Sequence, residues 1–544
     1  MNFPDAFSRE LNQSGREQDR FAQLNTDEDH TETKLTSLSL RSNKRTRVES
    51  KSTTSFSDGS FNVFDQQSSE DLKAEIRIHL ENMKSQNPHD VVTALLQLSR
   101  CLSQGQPRSY AILLQCNGLI DLISLLESTD EPTILEPILS IMINVTGLQD
   151  KEDSSAVAYS GFLSQLERIC ALNSPILTYE ILWALANLGG NSREINDFLL
   201  DNENIMNILH DSLLINSTPH IPSLFLLTNL CTLGKTMIPF QHFQRTVEIV
   251  CAYSDPQCYN AILQVRIIGR EPLKDALTVI DKCLGKTSDD FTQFVIGSSL
   301  IHSLGVFLTL PMYLHSHEHV LTLVKHLSYI ETPDNPTALC DLMHQHGVSK
   351  AVIVHFGSSI HDGSYRNMNE AQLCTRIIII SNMINDSNEA TALFYEHGLI
   401  HLIATIIPSI SVRSTAEIVY LLNNLSRKPL EIFQSFELNS SFISSILSTI
   451  LSNRNLFSDT VPVALDTLLK FFSSIQLSVR THAPNQSLTE LPDELFYKQM
   501  EENNLFEIVR TNFLNSESAS TKAAASAFLM YTDEWLKLRT ENAS

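Results

Sequence analysis

An asparagine recurs near the C-terminal end of one apolar, helix-like segment after another. The five positions are Asn144, Asn187, Asn229, Asn382 and Asn424. The first three are 43 and 42 residues apart, and the last two are 42 apart. The gap of 153 residues between Asn229 and Asn382 leaves room for four units of about 38 residues. An internal period of this length predicts a repeat array, in which each unit buries its apolar face against its neighbours.

Aromatic and acidic residues accompany this asparagine row. Trp183, Phe225 and Tyr420 each lie four positions before an asparagine, and Glu180 and Glu417 lie three positions before Trp183 and Tyr420. Residues spaced by three or four share one face of a helix. A face repeated in this way predicts a surface that binds a long polar ligand.

Charge and cysteine usage narrow the class of ligand and the compartment. The chain has 544 residues, 42% of them apolar, and a formal net charge of −23. The negative net charge disfavours nucleic acid as a ligand because its phosphates would be repelled, so a basic protein segment is favoured. Nine scattered cysteines without a CxxC pair are typical of buried thiols in a reducing compartment.

The sequence predicts neither a leader nor a membrane anchor. The first residues, MNFPDAFSRE, are polar and have no signal-peptide core. Residues 294–314 contain no Asp, Glu, Lys or Arg, but their glycines, serines and proline favour two buried helices with a break over a membrane span. We therefore expect an intracellular protein that does not enter the membrane.

Composition divides the chain into an arm and an array. Residues 1–69 are rich in polar and charged side chains and predict a disordered arm, with a basic cluster at Lys44, Arg45 and Arg47. Residues 70–544 show almost continuous helical periodicity. Four apolar runs in this part are preceded by a glycine that suits a turn with positive φ: Gly118, Gly161, Gly347 and Gly398.

The predicted fold is all-α. The period near 42, with a short helix before two longer ones, favours a right-handed armadillo superhelical solenoid over the 34-residue tetratricopeptide pattern. Residues 70–544 would hold about ten such units behind the disordered arm. The β-branched run at residues 376–380 is expected to be helical, because it recurs at a helical point of the repeat.

Several segments resemble the importin-α family of nuclear import adaptors. They are LSRCLSQGQPRSYAILLQCNGLIDLISLL and LWALANLGGNSREINDFLL within residues 98–200, LTNLCTLGKTMIPF at 227–240, and EHGLIHLIAT at 396–405. The resemblance implies an armadillo array that binds basic nuclear localisation signals of cargo proteins. It also implies a chain that moves between cytoplasm and nucleus.

The resemblance implies two peptide-binding sites in a concave groove. Asparagine amides would pair with the backbone of an extended signal, aromatic faces would hold Lys and Arg stems, and the glutamates would meet an ammonium group. The first site would comprise Asn144, Glu180, Trp183, Asn187, Phe225 and Asn229. The second would comprise Asn382, Glu417, Tyr420 and Asn424.

The termini also have counterparts in the family. Lys44, Arg45 and Arg47 resemble the cluster that binds importin-β and, when free, folds back into the groove as a pseudo-signal. Acidic residues near the C-terminus would face an export receptor by the same resemblance; they are Asp493, Glu494, Glu501 and Glu502.

The chain departs from the family pattern in ways that predict altered cargo binding. Where the family usually has Trp, this chain has Ser140, Phe225, Ile378 and Tyr420, and Asn191 stands where the family offers an acid. Arg266 and Arg270 align with expected acids, and residues 1–51 carry nine basic and nine acidic side chains. Loss of one desolvated Lys–carboxylate contact costs about 1.5–3 kcal/mol, so we expect weaker or shifted signal preference.

Simpler interpretations stay open for several residues. An asparagine near a helix end can be a cap, Phe225 and Tyr420 can be core residues, and residues 44–47 can be the protein's own localisation signal or a solvated run. The HxHxH run His315, His317 and His319 suggests metal ligands, but a solvated loop is favoured.

No catalytic or cofactor motif is present, so we expect neither enzymatic activity nor a cofactor or metal. The alternative function is an armadillo scaffold for a different partner, cytoskeletal or signalling, without import activity. A further reading is an adaptor for one dedicated cargo.

Overall fold

The computed structural model describes residues 63–105, 107–147, 157–214, 220–234, 237–264, 271–284, 289–330, 337–428, 440–452, 456–457, 459–482 and 492–543. Within these ranges the chain forms helices and turns and no β-strand, which confirms the all-α prediction. They divide into two compact units, residues 1–249 with 259–279 and residues 250–258 with 280–544. The predicted basic cluster, Arg266 and Arg270 lie outside the described residues.

In the first unit, consecutive long helices pack side by side. We call the last helix of each repeat its H3 helix; here these are Pro88–Gly105, Pro132–Thr146, Pro175–Asn191 and His220–Leu233. The other α-helices of this unit are Val63–Asn82, Pro107–Gln115, Gly118–Ser128, Leu163–Cys170, Arg193–Asp201 and Glu203–Ser212, with a π-helical turn at Ala158–Phe162. Three helices lie where the two units divide: Phe240–Tyr253, Pro256–Gln264 and Pro272–Leu284.

The second unit repeats the same packing of H3 helices. Its H3 helices are His317–Leu327, Glu370–Asp386, Val412–Ser426, Thr460–His482 and Ala519–Ala543. The other α-helices are Asp289–Gly297, Leu300–Thr309, Ala338–Gln345, Val348–His361, Asn388–Glu396, Leu399–Ile406, Ser440–Ser452, Pro492–Glu502 and Leu505–Asn512. Short 3-10 turns occur at Pro311–Ser316, Ser364–Asn367 and Ile407–Ser409.

Local sequence explains where several H3 helices begin. Ser174 accepts a hydrogen bond from the backbone N–H of Leu177, with proline at the first helical position. Asn369 and Gln372 form a reciprocal capping box at the start of Glu370–Asp386. That helix contains residues 376–380, so the β-branched run is helical as predicted.

Three of the four predicted turn glycines have positive φ: Gly161 at 96°, Gly347 at 77° and Gly398 at 76°. The prediction is wrong at Gly118. There Asn117 takes the left-handed conformation, with φ 58°, and Gly118 is the first residue of the helix. Asparagine tolerates this conformation better than most residues. Gly118 serves packing instead, because a Cβ there would lie 2.3 Å from the side chain of Leu113.

The uncharged stretch at residues 294–314 is broken, as predicted. Helices 290–297 and 300–309 meet at 62°. Among the described residues no single helix is long and apolar enough to cross a membrane. Three bent helix pairs have the length and the composition of a membrane span, judged on these two properties alone.

The expected period of about 38 residues before Asn382 is wrong. Asn382 contacts Ser328, the residue that follows the preceding H3 helix, 54 residues earlier, whereas Asn424 contacts Ser381, 43 residues earlier. The longer interval contains the 14-residue helix Val348–His361, where the next repeat has the 8-residue helix Leu399–Ile406.

Candidate peptide-binding surface

In the first unit, the asparagine row joins one H3 helix to the next. Nδ2 of Asn187 donates to the carbonyl oxygen of Ile143 at 2.9 Å. Nδ2 of Asn229 donates to the carbonyl oxygen of Ala186 at 2.7 Å. Each acceptor is the residue just before the preceding asparagine of the row. Asn144, by contrast, donates to Ser140 of its own helix at 2.8 Å.

The second unit contains the same arrangement. Nδ2 of Asn424 lies 3.2 Å from the carbonyl oxygen and 3.1 Å from Oγ of Ser381. Nδ2 of Asn382 donates to Oγ of Ser328 at 2.9 Å. Because Ser381 directly precedes Asn382, the register matches that of the first unit. The row therefore contributes to contact between repeats, which neither the capping nor the ligand interpretation foresaw.

A second donor, one turn later, holds the end of the preceding H3 helix. Nδ2 of Asn191 donates to the carbonyl oxygen of Thr146 at 3.0 Å. Nζ of Lys428, four residues after Asn424, donates to the carbonyl oxygen of Asn385 at 2.9 Å. The last carbonyls of a helix have no partner within that helix. Asn191, which stands where the related family offers an acid, thus takes part in a contact between helices.

Two glycines make room for the amides. A Cβ at Gly147 would lie 3.3 Å from Nδ2 of Asn187, and a Cβ at Gly190 would lie 3.2 Å from Nδ2 of Asn229. Both separations are shorter than most Cβ contacts. The sequence carried a signal for this, since each glycine follows an asparagine of the row by three residues, but the asparagine spacing alone did not identify it.

The aromatic residues of the predicted first site are buried. Trp183 is 7% exposed and Phe225 is 1% exposed. Their ring centroids are 5.5 Å apart in a tilted arrangement, and the ring of Tyr179 meets Trp183 edge-on at 6.3 Å. Asn187 and Asn229 are buried beside them, whereas Glu180 and Asn144 are half-buried. Phe225 is thus placed in the core, which favours the simpler interpretation of this residue.

The predicted second site is more accessible. Asn382, Glu417, Tyr420 and Asn424 are all half-buried. Each of the two amides donates to the preceding repeat through Nδ2, and within the described residues neither Oδ1 receives a hydrogen bond. Since an asparagine amide has two N–H groups and one acceptor oxygen, Asn382 keeps a donor and an acceptor for the backbone of a bound peptide, and Asn424 keeps its acceptor.

Sequence reasoning missed a partly buried ionic cluster centred on Arg376, which lies on the same helix as Asn382. Arg376 is 1% exposed, and its Nη2 pairs with Oε1 of Glu318 at 2.5 Å. Nearby, Nδ1 of His317 lies 2.7 Å from Nε2 of His355. Burial lowers the pKa of both imidazoles, and the charge of Arg376 lowers each pKa further. The two rings are therefore neutral near pH 7 and share one N–H···N hydrogen bond.

The expected solvated loop at the HxHxH run is wrong. His315 is exposed in a 3-10 turn, but His317 is buried at the start of an H3 helix. In the part of the chain that the structure describes, no group of three or more His, Cys, Asp or Glu side chains is arranged to hold a metal ion.

Comparison with known proteins identifies the fold but not a family. No protein-family model matches the chain, and no curated protein matches it significantly. An engineered protein solved by the Northeast Structural Genomics Consortium is similar with a TM-score of 0.59 and 13% identity, over 84% of this chain and 98% of that one. A structure from work on a phosphorylation switch controlling the interaction between cadherin and β-catenin has a TM-score of 0.53 and 11% identity, over 84% and 91%. These likenesses show an all-helical, armadillo-like repeat fold.

Proposed function

We propose that this chain is an armadillo-like adaptor that binds extended basic segments, such as nuclear localisation signals, along its H3 helices. The observation that carries the proposal is the accessible face at the second site. Asn382 and Asn424 lie on neighbouring H3 helices, and Glu417 and Tyr420 share a face with Asn424. All four are half-buried, so a ligand can reach them.

The chemistry of that face suits a basic peptide. The amide oxygens of Asn382 and Asn424 and the second N–H of Asn382 can pair with a peptide backbone. The ring of Tyr420 can support the aliphatic stem of a lysine, and Glu417, one turn earlier, can meet its ammonium group. The net charge of −23 attracts cationic segments over longer distances.

Burial at the first site supports unequal roles for the two sites. Trp183 and Phe225 offer little ring surface, and Asn191 is engaged with Thr146. We infer that the second site contributes more of the binding free energy than the first.

The proposal extends to transport. By family resemblance, Lys44, Arg45 and Arg47 would bind importin-β, and the acidic residues near the C-terminus would meet an export receptor. The protein would act by binding, without catalysis, in both cytoplasm and nucleus. Capture of importin-β by the full chain tests the first step, and substitution of the three basic residues by alanine should abolish it.

A fluorescence anisotropy titration of the full chain with a labelled Lys/Arg-rich signal peptide tests the proposed function. Glu417→Gln removes the carboxylate charge, and Tyr420→Leu removes the aromatic face while keeping apolar volume. We expect each variant to weaken binding by about tenfold, equivalent to about 1.4 kcal/mol. Glu396→Gln, on an exposed helix end of the same repeat, is the matched control and should bind like the wild type.

Two results would overturn the proposal: no binding of the basic peptide by the wild type, or affinities unchanged in both second-site variants. Either result would favour the second candidate, an armadillo scaffold for a partner that is not an import signal. The burial of Trp183 and Phe225 already favours that candidate at the first site.

A further inference from the structure

The hydrogen bonds of the asparagine row set the register of the preceding repeat. Asn424 contacts Ser381, and Asn382 is the next residue. Asn382 donates to Oγ of Ser328, as Asn424 donates to Oγ of Ser381, and the residue after Ser328 is Tyr329. Tyr329 therefore occupies the asparagine position of the repeat that contains His317–Leu327.

In this register, a lysine occupies the aromatic position. Lys325 precedes Tyr329 by four residues, as Tyr420 precedes Asn424. Thr322 stands where the later repeat has Glu417. Thr322 and Lys325 share one face of the helix His317–Leu327, and Tyr329 follows in the turn after its last residue. Tyr329 is 43% exposed and Thr322 is half-buried, so this face is open to a ligand.

Lys325 is 8% exposed, and within the described residues its ammonium group has neither an ion pair nor a hydrogen bond. Two carboxylates on this helix or in contact with it pair with other side chains. Glu318, two turns earlier on the same helix, pairs with Arg376. Asp281 lies 2.5 Å from Nδ1 of His326. Nζ of Lys325 is not among the fully buried polar atoms of the described residues, so the ammonium group reaches the surface and an anion from a ligand can pair with it.

We propose that Lys325 and Tyr329 form a subsite for an acidic side chain, a carboxylate or a phosphorylated hydroxyl, on the peptide that the second site binds. This inference rests on the proposed function and narrows its ligand class to basic segments that carry one acid at a fixed distance. Neighbouring helices pack about 8–10 Å apart, so two repeats span roughly 18 Å. An extended chain covers that distance in about six residues.

The test uses the full chain and a set of labelled peptides with the same basic core. One position, five to seven residues before or after the core, carries Glu, phosphoserine or Ala. At one spacing we expect the Glu or the phosphoserine peptide to bind about tenfold more tightly than the Ala peptide. Whichever of these two peptides gains more affinity over the Ala peptide identifies the anion, a carboxylate or a phosphate. The gain should shrink as salt is raised, because exposed parts of the ion pair are screened.

Variants of the protein test whether the gain in affinity from the acidic residue depends on Lys325. Lys325→Met should remove it, Lys325→Arg should retain most of it, and Lys350→Met, an exposed lysine on the helix Val348–His361, should leave it unchanged. Thermal melts establish whether each variant is folded. If Lys325→Met is not folded, the wild-type affinities for the three peptides decide whether the acidic subsite exists.

The failures of the two proposals are distinguishable. Equal wild-type affinity for all three peptides at every spacing, or a gain that survives in Lys325→Met, overturns the acidic subsite and leaves the proposed function standing. If none of the peptides binds the wild type, the proposed function and this inference both fail.

Discussion

The side-chain amide of Asn229 donates a hydrogen bond from Nδ2 to the carbonyl oxygen of Ala186, 2.7 Å away in the preceding H3 helix. The same relationship joins Asn187 to Ile143 and, in the second unit, Asn424 to Ser381. A residue type predicted for ligand binding therefore also holds repeats together. Substitution of these asparagines changes stability as well as binding, so binding tests need variants outside the row.

Asn229→Ala should lower the free energy of unfolding by about 1–3 kcal/mol, because a buried hydrogen bond is lost. Asn144→Ala is the control, since its amide is half-buried and bonds within its own helix. Urea denaturation of both variants measures the difference. Equal losses would show that the bond to Ala186 adds nothing to the repeat contact.

Gly190→Ala should destabilise the wild type, because its Cβ would lie 3.2 Å from the buried Nδ2 of Asn229. In an Asn229→Ala background that obstacle is absent. The higher helix propensity of alanine should then stabilise the protein by up to about 1 kcal/mol. A double-mutant cycle measures the coupling, and a Gly190→Ala effect of the same sign and size in both backgrounds would contradict this expectation.

Acidification should destabilise the protein through His220. Burial lowers the pKa of His220 to about 4, whereas an unfolded histidine titrates near 6.5. Between these values only the unfolded chain binds the proton, so stability falls as pH decreases from about 6.5 and is unaffected above it. The loss attributable to this residue approaches about 3 kcal/mol near pH 4.

His220→Gln should remove about one proton from the pH dependence of the unfolding free energy between pH 7 and 5. His361→Gln, at an exposed position, is the control and should leave the slope unchanged. An unaltered slope in His220→Gln would refute the assignment. Burial also lowers the pKa of His242, His317 and His355, so part of the acid sensitivity should remain.

Glu318→Gln should destabilise the protein by about 3 kcal/mol, because it leaves the buried guanidinium of Arg376 without a counter-charge. The double variant Glu318→Gln/Arg376→Met should be more stable than Glu318→Gln alone, since no unpaired charge remains. Thermal and urea unfolding of the two variants check the order. The reverse order would mean that solvent already hydrates the guanidinium group of Arg376, since its partner Glu318 is 40% exposed.

Prediction from sequence worked best where one local rule acted alone. Helical periodicity placed residues 376–380 in a helix, and glycine preference located the turns at Gly161, Gly347 and Gly398. The prediction was wrong at Gly118. Both Asn117 and Gly118 can adopt positive φ, but Gly118 is the residue that must lack a Cβ because it packs against Leu113. The interval before Asn382 was also misjudged, because the length of the helix between two H3 helices does not alter the apolar pattern on either side of it.

The sequence by itself determined an all-helical repeat array and the positions of its recurring amide and aromatic residues, because period and residue type are properties of the chain. The tertiary structure decided what surrounds those side chains. It buried Phe225, left Tyr420 half-buried and joined Asn229 to Ala186. These outcomes depend on how neighbouring helices pack, and residues about 43 positions apart in sequence meet only when the repeats stack.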